Sequence, residues 1–372
     1  MKYDVVIVGA GIPGCCLAEK IALAGYKVAL LDARPIRKIG NLWEINVDKN
    51  IFNFISKKYP PDKLLIERAD EIVFFAKDIN ENVKIEGSKF NTITILHRVL
   101  NKTMLKSALN SNVDFYPKHN VIAPVLDNDY LTGVTGYKKL AAIPIPFKVS
   151  GRIIIDCTGV KAVLRKKVPD SFNIKKDIQA QDYASAWQET WTVKDNEKFK
   201  LNEGIYAQPG TNYTKVGKYH AYTFLHLRKN NTINMVFGAS IVKSDLAYFI
   251  CKEYKNNLTS LNKCLHADGG IIPIRRSLDN FVGNGFLLLG DSACQLIPTI
   301  GSGIQPSLLA AQLASKTIIK ALNNNNYSKE SLWQYNFKYQ QEIGAVLASY
   351  DIIRRFLQSI NTHNMNEIFK SG

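Results

Sequence analysis

Val5-Val6-Ile7-Val8 is an unbroken β-branched run, the pattern of a strand covered on both faces. Behind it, Leu17, Ile21 and Ala24 recur at helical spacing, and Gly25 stands where a helix C-cap is expected. Lys27 to Leu31 then reads as a second buried strand, ending in Asp32. The same short apolar pattern returns at Ile153-Ile154-Ile155 and at Gly285-Phe286-Leu287-Leu288-Leu289. Downstream of the latter, Leu308, Ala311, Ala314, Ile318 and Leu322 share one helical face. Residues 180–269 alternate instead, as in Tyr219 to Leu227 and Thr232 to Gly238, which predicts a strand-built unit. After the polar run Asn323-Asn324-Asn325-Asn326, the spacing of Leu332, Asn336, Tyr339, Ile343, Val346, Ile353 and Leu357 predicts one or two amphipathic helices.

The first strand runs straight into Gly9-Ala10-Gly11-Ile12-Pro13-Gly14, a G-x-G-x-x-G opening a helix. With the second strand and its terminal Asp32 in register, this is a complete βαβ dinucleotide-binding unit. The glycines let the backbone approach a pyrophosphate at a positive helix end, and the acid accepts ribose hydroxyls. NAD and FAD sites share this fingerprint. The run Gly285 to Leu289 separates them: it ends in Gly290-Asp291-Ser292-Ala293-Cys294-Gln295, followed by Pro298, Gly301, Gly303 and Ile304 at a helix start. A strand, a Gly-Asp pair and a glycine-rich helix N-terminus suit a flavin, with the Asp on a ribityl or ribose hydroxyl and the helix dipole at the pyrimidine edge.

Composition narrows the partners. The 372 residues suffice for two or three domains, and 46% hydrophobic against 22% charged residues describes an ordinary globular chain. Lys and Arg number 48 against 32 Asp and Glu, a formal charge of +16 that favours anionic partners. The basic residues are dispersed and form no recognition motif, so no nucleic-acid role is expected. Six cysteines without a Cys-x-x-Cys pair fit neither a disulfide framework nor a metal site, and no metal is expected. No apolar run approaches the roughly 18 residues of a membrane span. The expected location is cytoplasmic, with the option of lying on the cytoplasmic membrane face.

Ile153-Ile154-Ile155-Asp156-Cys157-Thr158-Gly159 with Ala162-Val163-Leu164-Arg165-Lys166-Lys167 adds a third strand-and-turn segment. Together with Pro273 to Asp279, Asn284-Gly285-Phe286, Gly290 to Gln295, Gly301-Ser302-Gly303-Ile304, and the tail segments Leu332 to Asn336 and Phe356-Leu357-Gln358, it resembles the FAD-dependent flavoproteins of the p-hydroxybenzoate hydroxylase type. Within them the chain is most similar to the geranylgeranyl reductases, in their archaeal branch. The resemblance implies an α/β fold: a Rossmann-like FAD-binding domain over 1–179 and 270–325 with a small β excursion near 70–90, an inserted antiparallel-sheet substrate domain over 180–269 roofing the flavin, and C-terminal helices over 326–372.

The same resemblance implies an FAD-dependent oxidoreductase that reduces isolated C=C bonds of isoprenoid chains in membrane lipids or prenyl quinones. It expects an Arg opening the helix after the excursion, matched by Arg98 behind Ile93 to His97. The cofactor set is then Gly9, Gly11, Pro13, Gly14, Asp32, Ala33, Arg34, Arg98, Gly159, Gly290, Asp291, Pro298, Gly301, Ser302, Gly303 and Ile304. Reduced flavin N5 would deliver hydride while a proton reaches the other alkene carbon, which demands a dry cavity. With no second dinucleotide fingerprint, the reductant is NAD(P)H docking transiently or an electron-donor protein such as reduced ferredoxin. A hydroxylase of the same fold and a non-catalytic flavin-dependent binding module are the competing readings.

Two departures qualify the carry-over. Similar reductases hold a Cys-Gly segment where this chain reads Lys38-Ile39-Gly40-Asn41-Leu42-Trp43-Glu44, without cysteine. Their Tyr-x-Trp-x-Phe-Pro strand is matched only by His220-Ala221-Tyr222-Thr223-Phe224-Leu225, where the Phe alone survives. The substrate contacts expected are Tyr222, Phe224 and Trp187, with Tyr222 and Phe224 two apart and therefore on one face. His220 and Tyr222 are the weak proton-donor candidates. Cys15 and Cys16 are read as core-filling. Arg275-Arg276 is read as a headgroup contact or a surface shield.

Overall fold

The computed structural model describes residues 2–55, 65–67, 71–75, 82–86, 92–140, 143–194, 205–209, 221–227, 231–240, 246–256, 258, 260–360, 363–364, 367 and 371. For the strands at 65–67, 71–75, 82–86, 205–209 and 221–227 it describes the backbone. Six helices of ten or more residues lie among the described residues: α1 (Ile12–Leu23), α2 (His97–Asn110), α3 (Leu246–Lys255), α4 (Ile304–Asn323), α5 (Lys329–Tyr339) and α6 (Ala345–Ser359).

The β-branched runs become the centre of an eight-stranded sheet. Its path is Val282–Gly283, Phe286–Leu288, Ile143–Asp156, Lys2–Val8, Val28–Asp32 and Asp114–Pro117, with the hairpin strands His119–Asp127 and Tyr130–Leu140 joined at Ile143–Asp156. From Phe286–Leu288 to Asp114–Pro117 all pairs are parallel. Val5, Val6, Ile7 and Ile153 to Ile155 are fully buried, as strands covered on both faces must be. α1 packs between α2 and α4. Parallel order brings the carboxyl ends of three strands together, so Gly9, Cys157 and Leu289 follow one another along one sheet end, where ligands of such folds sit.

A second sheet of seven strands runs Leu261–Pro273, Tyr183–Val193, Thr232–Ser240, Ala221–Leu227, Ile205–Pro209, Glu71–Phe75 and Asn82–Glu86. The excursion expected inside the cofactor domain therefore extends this other sheet, through a parallel pairing of Ile205–Pro209 with Glu71–Phe75. Sequence distance hides that pairing. A three-stranded sheet of Glu44–Asp48, Thr92–Leu96 and Leu65–Glu67 stands beside it.

Only one face of the seven-stranded sheet carries α3. Trp187, Glu189 and Trp191 pair in register with Phe237, Met235 and Ile233. These positions meet α3: the Trp187 and Tyr248 rings lie edge to face at 5.0 Å, and Lys255 Nζ sits 2.7 Å from Glu189 Oε2. The other face holds Gln188, Thr190 and Asn234 and meets the strand Glu44–Asp48. Gln188 accepts from Glu44 N at 2.6 Å and donates to Glu44 O at 2.9 Å, while Thr190 Oγ1 donates to Glu44 Oε1 at 3.0 Å.

The C-terminal stripe does not stay on one side. Between α5 and α6 the chain makes a π-turn over Gln340–Gly344, and the wider turn rotates the following residues by about 100° relative to the helix before it. Leu332, Asn336 and Tyr339 are buried, whereas Val346 is 51%, Ile353 46% and Leu357 36% exposed.

Candidate functional site

The three glycine-bearing turns meet at the carboxyl ends of the parallel strands. Gly9 (φ +113°) passes so near the neighbouring strand that a Cβ would lie 2.1 Å from Cys157 O, and a Cβ on Gly14 would lie 2.1 Å from Gly9 O. These two glycines are required by the protein's own packing. Gly11 differs: its nearest neighbour would be Pro13 Cδ at 3.8 Å, and Gly159 (φ +66°) would meet nothing within 4 Å. Their open sides face space that the fold leaves free, as close approach of a pyrophosphate requires. A Cβ on Gly290 (φ +76°) would come 3.2 Å from Pro13 Cγ, so the Gly-Asp turn and the first glycine loop touch.

The aspartates are not equivalent. Asp32 Oδ2 accepts from Ala10 N at 2.9 Å and Arg34 Nη2 at 3.0 Å, and Oδ1 from Arg34 N at 2.8 Å and Arg34 Nε at 3.0 Å. The carboxylate expected to accept ribose hydroxyls thus already holds the loop closed through Arg34. Asp156 is wholly buried, with Oδ1 taking Thr158 N and Oγ1 and Oδ2 taking Leu164 N and Arg165 N, all within 2.9 Å. Asp291 has no donor on its carboxylate among the described residues, and burial alone pushes its pKa up to about 6. Its Oδ1 would lie 3.2 Å from a Cβ on Gly303, at the start of α4.

α4 begins without a side-chain cap and without an acidic residue in its first turn. Pro298, Gly301 and Ser302 form the tight turn ahead of it, in which Gly301 N donates to Ile297 O at 2.9 Å and Ile297 N to Ser302 O at 2.9 Å. Gly303 is the N-cap and Ile304 the first residue of α4, so the positive helix end lies beside Asp291. The Gly290 N–H is spent on Gln295 Oε1 at 2.8 Å, whose amide is in turn held by Tyr335 Oη. An unpaired carboxylate beside a bare helix end fits a polyhydroxylated ligand with an electron-rich ring, as the flavin reading requires.

Arg98 opens α2 as expected. Its Nε donates to Gly40 O at 3.0 Å, across a contact so close that a Cβ on Gly40 (φ +81°) would meet Arg98 Cα at 2.8 Å. Ala33 follows Asp32 at the strand end, exposed beside the clamp. Cys15 and Cys16 are buried, and burial pushes the Cys16 thiol up to about 12. His220 lies outside the described residues. Tyr222 and Phe224 pair in register with Gly238 and Val236, alternating with the positions that meet α3, and their side chains lie outside the described part. Trp187 is on the α3 side of the sheet.

Four residues of the frame escaped the sequence reading. Asn101 Nδ2 donates to Ala10 O at 3.0 Å and ties α2 to the first glycine loop. Arg165, 1% exposed, donates to Ser292 O at 2.6 Å and Lys176 O at 3.2 Å, joining the Asp156 turn to the Gly-Asp turn. Gln295 holds Gly290. His97 accepts from Asn41 N at 3.2 Å, and burial, reinforced by Arg34 and Arg98, drives its pKa down to about 4. Arg165 and Gln295 lie inside the quoted segments Ala162–Lys167 and Gly290–Gln295 without a role being read for them; Asn101 lies in no quoted segment, and only its place beside Arg98 marks His97.

No family model matches the chain. Curated proteins do, over nearly the whole length. The digeranylgeranylglycerophospholipid reductase of Sulfolobus acidocaldarius is 25% identical, with 98% of this chain and 80% of that protein covered. The protein of the same name from Methanoculleus marisnigri is 22% identical, covering 100% and 90%. Among solved structures, a geranylgeranyl bacteriochlorophyll reductase-like protein from Thermoplasma acidophilum superposes with a TM-score of 0.81 at 16% identity, over 99% of this chain and 91% of that one. A myxobacterial FAD-dependent chondrochloren halogenase follows the same fold with a TM-score of 0.69 at 15% identity, over 96% and 82%. Over nearly its whole length the chain is thus similar to digeranylgeranylglycerophospholipid reductases, on a fold it shares with FAD-dependent flavoproteins.

Proposed function

We propose that the protein is an FAD-dependent oxidoreductase that saturates isolated C=C bonds in the isoprenoid chains of membrane lipids or prenyl quinones. The observation that carries the reading is the frame at the strand ends: two glycines with room for a Cβ, a carboxylate without a donor among the described residues, and an uncapped helix, in a chain 98% of which aligns with a reductase of digeranylgeranylglycerophospholipid. The bound flavin supplies hydride. The chain's own residues do the rest. The Gly11 and Gly159 backbone and the guanidinium of Arg98 hold phosphates, Asp291 takes ribityl or ribose hydroxyls, and the N-terminus of α4 balances negative charge on the ring.

An isolated alkene has no carbonyl to store charge, so water must be kept from the reacting carbons. The face of the seven-stranded sheet opposite α3, where Tyr222 and Phe224 fall by register, is the wall we assign to the prenyl chain. Electrons come from NAD(P)H docking transiently or from a donor protein such as ferredoxin. The test is anaerobic incubation of dithionite-reduced protein with geranylgeranyl lipids and with prenyl quinones, counting saturated double bonds by mass spectrometry. Mass gains of two hydrogens per bond support the reading. No gain in either pool overturns it.

The hydroxylase reading keeps a specific support, because an anhydrotetracycline hydroxylase from Streptomyces rimosus shares the fold with a TM-score of 0.66 at 16% identity. Incorporation of labelled oxygen into product during NADPH turnover selects it.

A further inference from the structure

α6 is turned inside out. Its buried residues are Leu347, Asp351 and Arg354, and two of these three are charged. Outward it shows Val346 at 51%, Tyr350 at 38%, Ile353 at 46%, Phe356 at 53% and Ile352 at 70% exposure. Val346, Tyr350, Ile353 and Leu357 repeat at i, i+4, i+7 and i+11, one continuous apolar stripe. A helix facing only water has the opposite arrangement, and an apolar stripe this long marks a surface meant to be covered.

What covers it is indicated by the charges beneath. Arg354 Nη2 lies 3.0 Å from Asp182 Oδ1 and 2.6 Å from Asp351 Oδ1, and Arg355 Nη2 lies 3.0 Å from the same Asp182 oxygen. These pairs fasten α6 to the segment entering the seven-stranded sheet. Next to them a cavity of about 390 Å³ is lined by Lys175, Arg275, Arg276 and Arg355, with Asp182, Asp351 and, at its rim, the exposed Ile352. With Arg354 beneath it, the cluster holds five cations against Asp182, Asp351 and Asp279: Arg354, Arg355 and Arg275 pair with Asp182, and Arg276 pairs with Asp279, which leaves an excess of two positive charges at the cavity. The cavity is therefore a cationic pocket bordered by an apolar helix face, on a chain carrying a formal charge of +16.

We infer that α6 is the face by which the protein docks on an anionic bilayer, its apolar stripe entering the boundary between headgroups and acyl chains while the cavity takes the phosphate of one headgroup. A soluble anion has no use for the stripe. A neutral protein partner has no use for the cations. The two features together fit an anionic amphiphile surface, which interfacial helices recognise through apolar burial plus basic charge. The inference uses no step of the reaction and stands or falls apart from it.

Sedimentation of the flavin-loaded protein with vesicles tests it. The wild type should pellet with mixed phosphatidylserine and phosphatidylcholine vesicles at least about tenfold more strongly than with phosphatidylcholine alone, and binding should fall with salt. Ile353→Ser with Phe356→Ser should abolish pelleting. Lys175→Gln with Arg355→Gln should weaken it by about fivefold per cation, and Arg355→Lys in place of Arg355→Gln should recover about fivefold. Flavin content, circular dichroism and turnover on detergent-dispersed substrate should stay at wild-type level in all variants, so failure of the proposed reaction reads out separately. Equal pelleting of wild type and the serine variant overturns the inference. So does a dimer in solution that the serine variant dissociates, since a second copy then covers the stripe. Saturation of the cavity by inorganic phosphate without any vesicle binding overturns it as well.

Discussion

Asp156 and the Gly290-Asp291 turn lie at the ends of neighbouring parallel strands, in which Asp156 pairs with Leu288, yet their carboxylates are in opposite states. Asp156 has four donors from its own turn and no accessible surface. Asp291 has none among the described residues, and desolvation holds its pKa up at about 6. The glycines divide the same way: Gly9 and Gly14 are there because the backbone has no room for a Cβ, whereas Gly11 and Gly159 have room on the protein side. Groups satisfied by the fold build the site, and groups left unsatisfied by it are the ones a ligand completes.

The comparison breaks most visibly at Asp156. Asp156→Ala orphans buried donors and should cost about 3–4 kcal/mol, lowering the melting temperature by roughly 4–5 °C. A shift within experimental error would mean the turn is held elsewhere. Next, Gly11→Val should leave the fold intact but weaken FAD binding by about a hundredfold, because the added side chain stands where the pyrophosphate approaches. Equilibrium dialysis against FAD measures it, and unchanged affinity would remove Gly11 from the site. Asp291→Asn is smaller, about tenfold in FAD affinity at neutral pH, with apoprotein stability equal or higher because a desolvated charge is removed.

The smallest effect belongs to His97. Its pKa is depressed to about 4, so its contribution to stability is full above the unfolded value near 6.5 and is lost as pH falls toward 4. His97→Gln should therefore leave the melting temperature at pH 7 nearly unchanged and flatten its decline below pH 6.5; an equally steep decline would place the titration on another group.

Much of this site was legible because it is local. A β-branched strand running into glycines and ending beside an acid is written in consecutive residues, and all three segments fold as read, although the strand read as Gly285 to Leu289 forms over Phe286–Leu288. What was illegible depends on contacts between distant segments. Period-two alternation shows that Trp187 and Gln188 point apart, but which side is covered is decided by α3, some sixty residues later in the chain. Asp32 reads as a ribose acceptor, and nothing in the spacing reveals that Arg34 also closes on it. The C-terminal stripe reads as one face because spacing alone does not reveal the π-turn at Gln340–Gly344 that swings Val346 and Ile353 to the outside.

The central claim is that Asp291 and the uncapped start of α4 form the unfinished half of a flavin site. It is tested most directly by titrating the apoprotein with FAD from about pH 5 to pH 8, following quenching of flavin fluorescence. Hydroxyl donors bind the ionised carboxylate, so wild-type affinity should rise as pH climbs through about 6 and then level, while Asp291→Asn should show a flat profile at the lower affinity. Wild-type affinity that does not change with pH, or a folded apoprotein that takes up no FAD, would contradict the account.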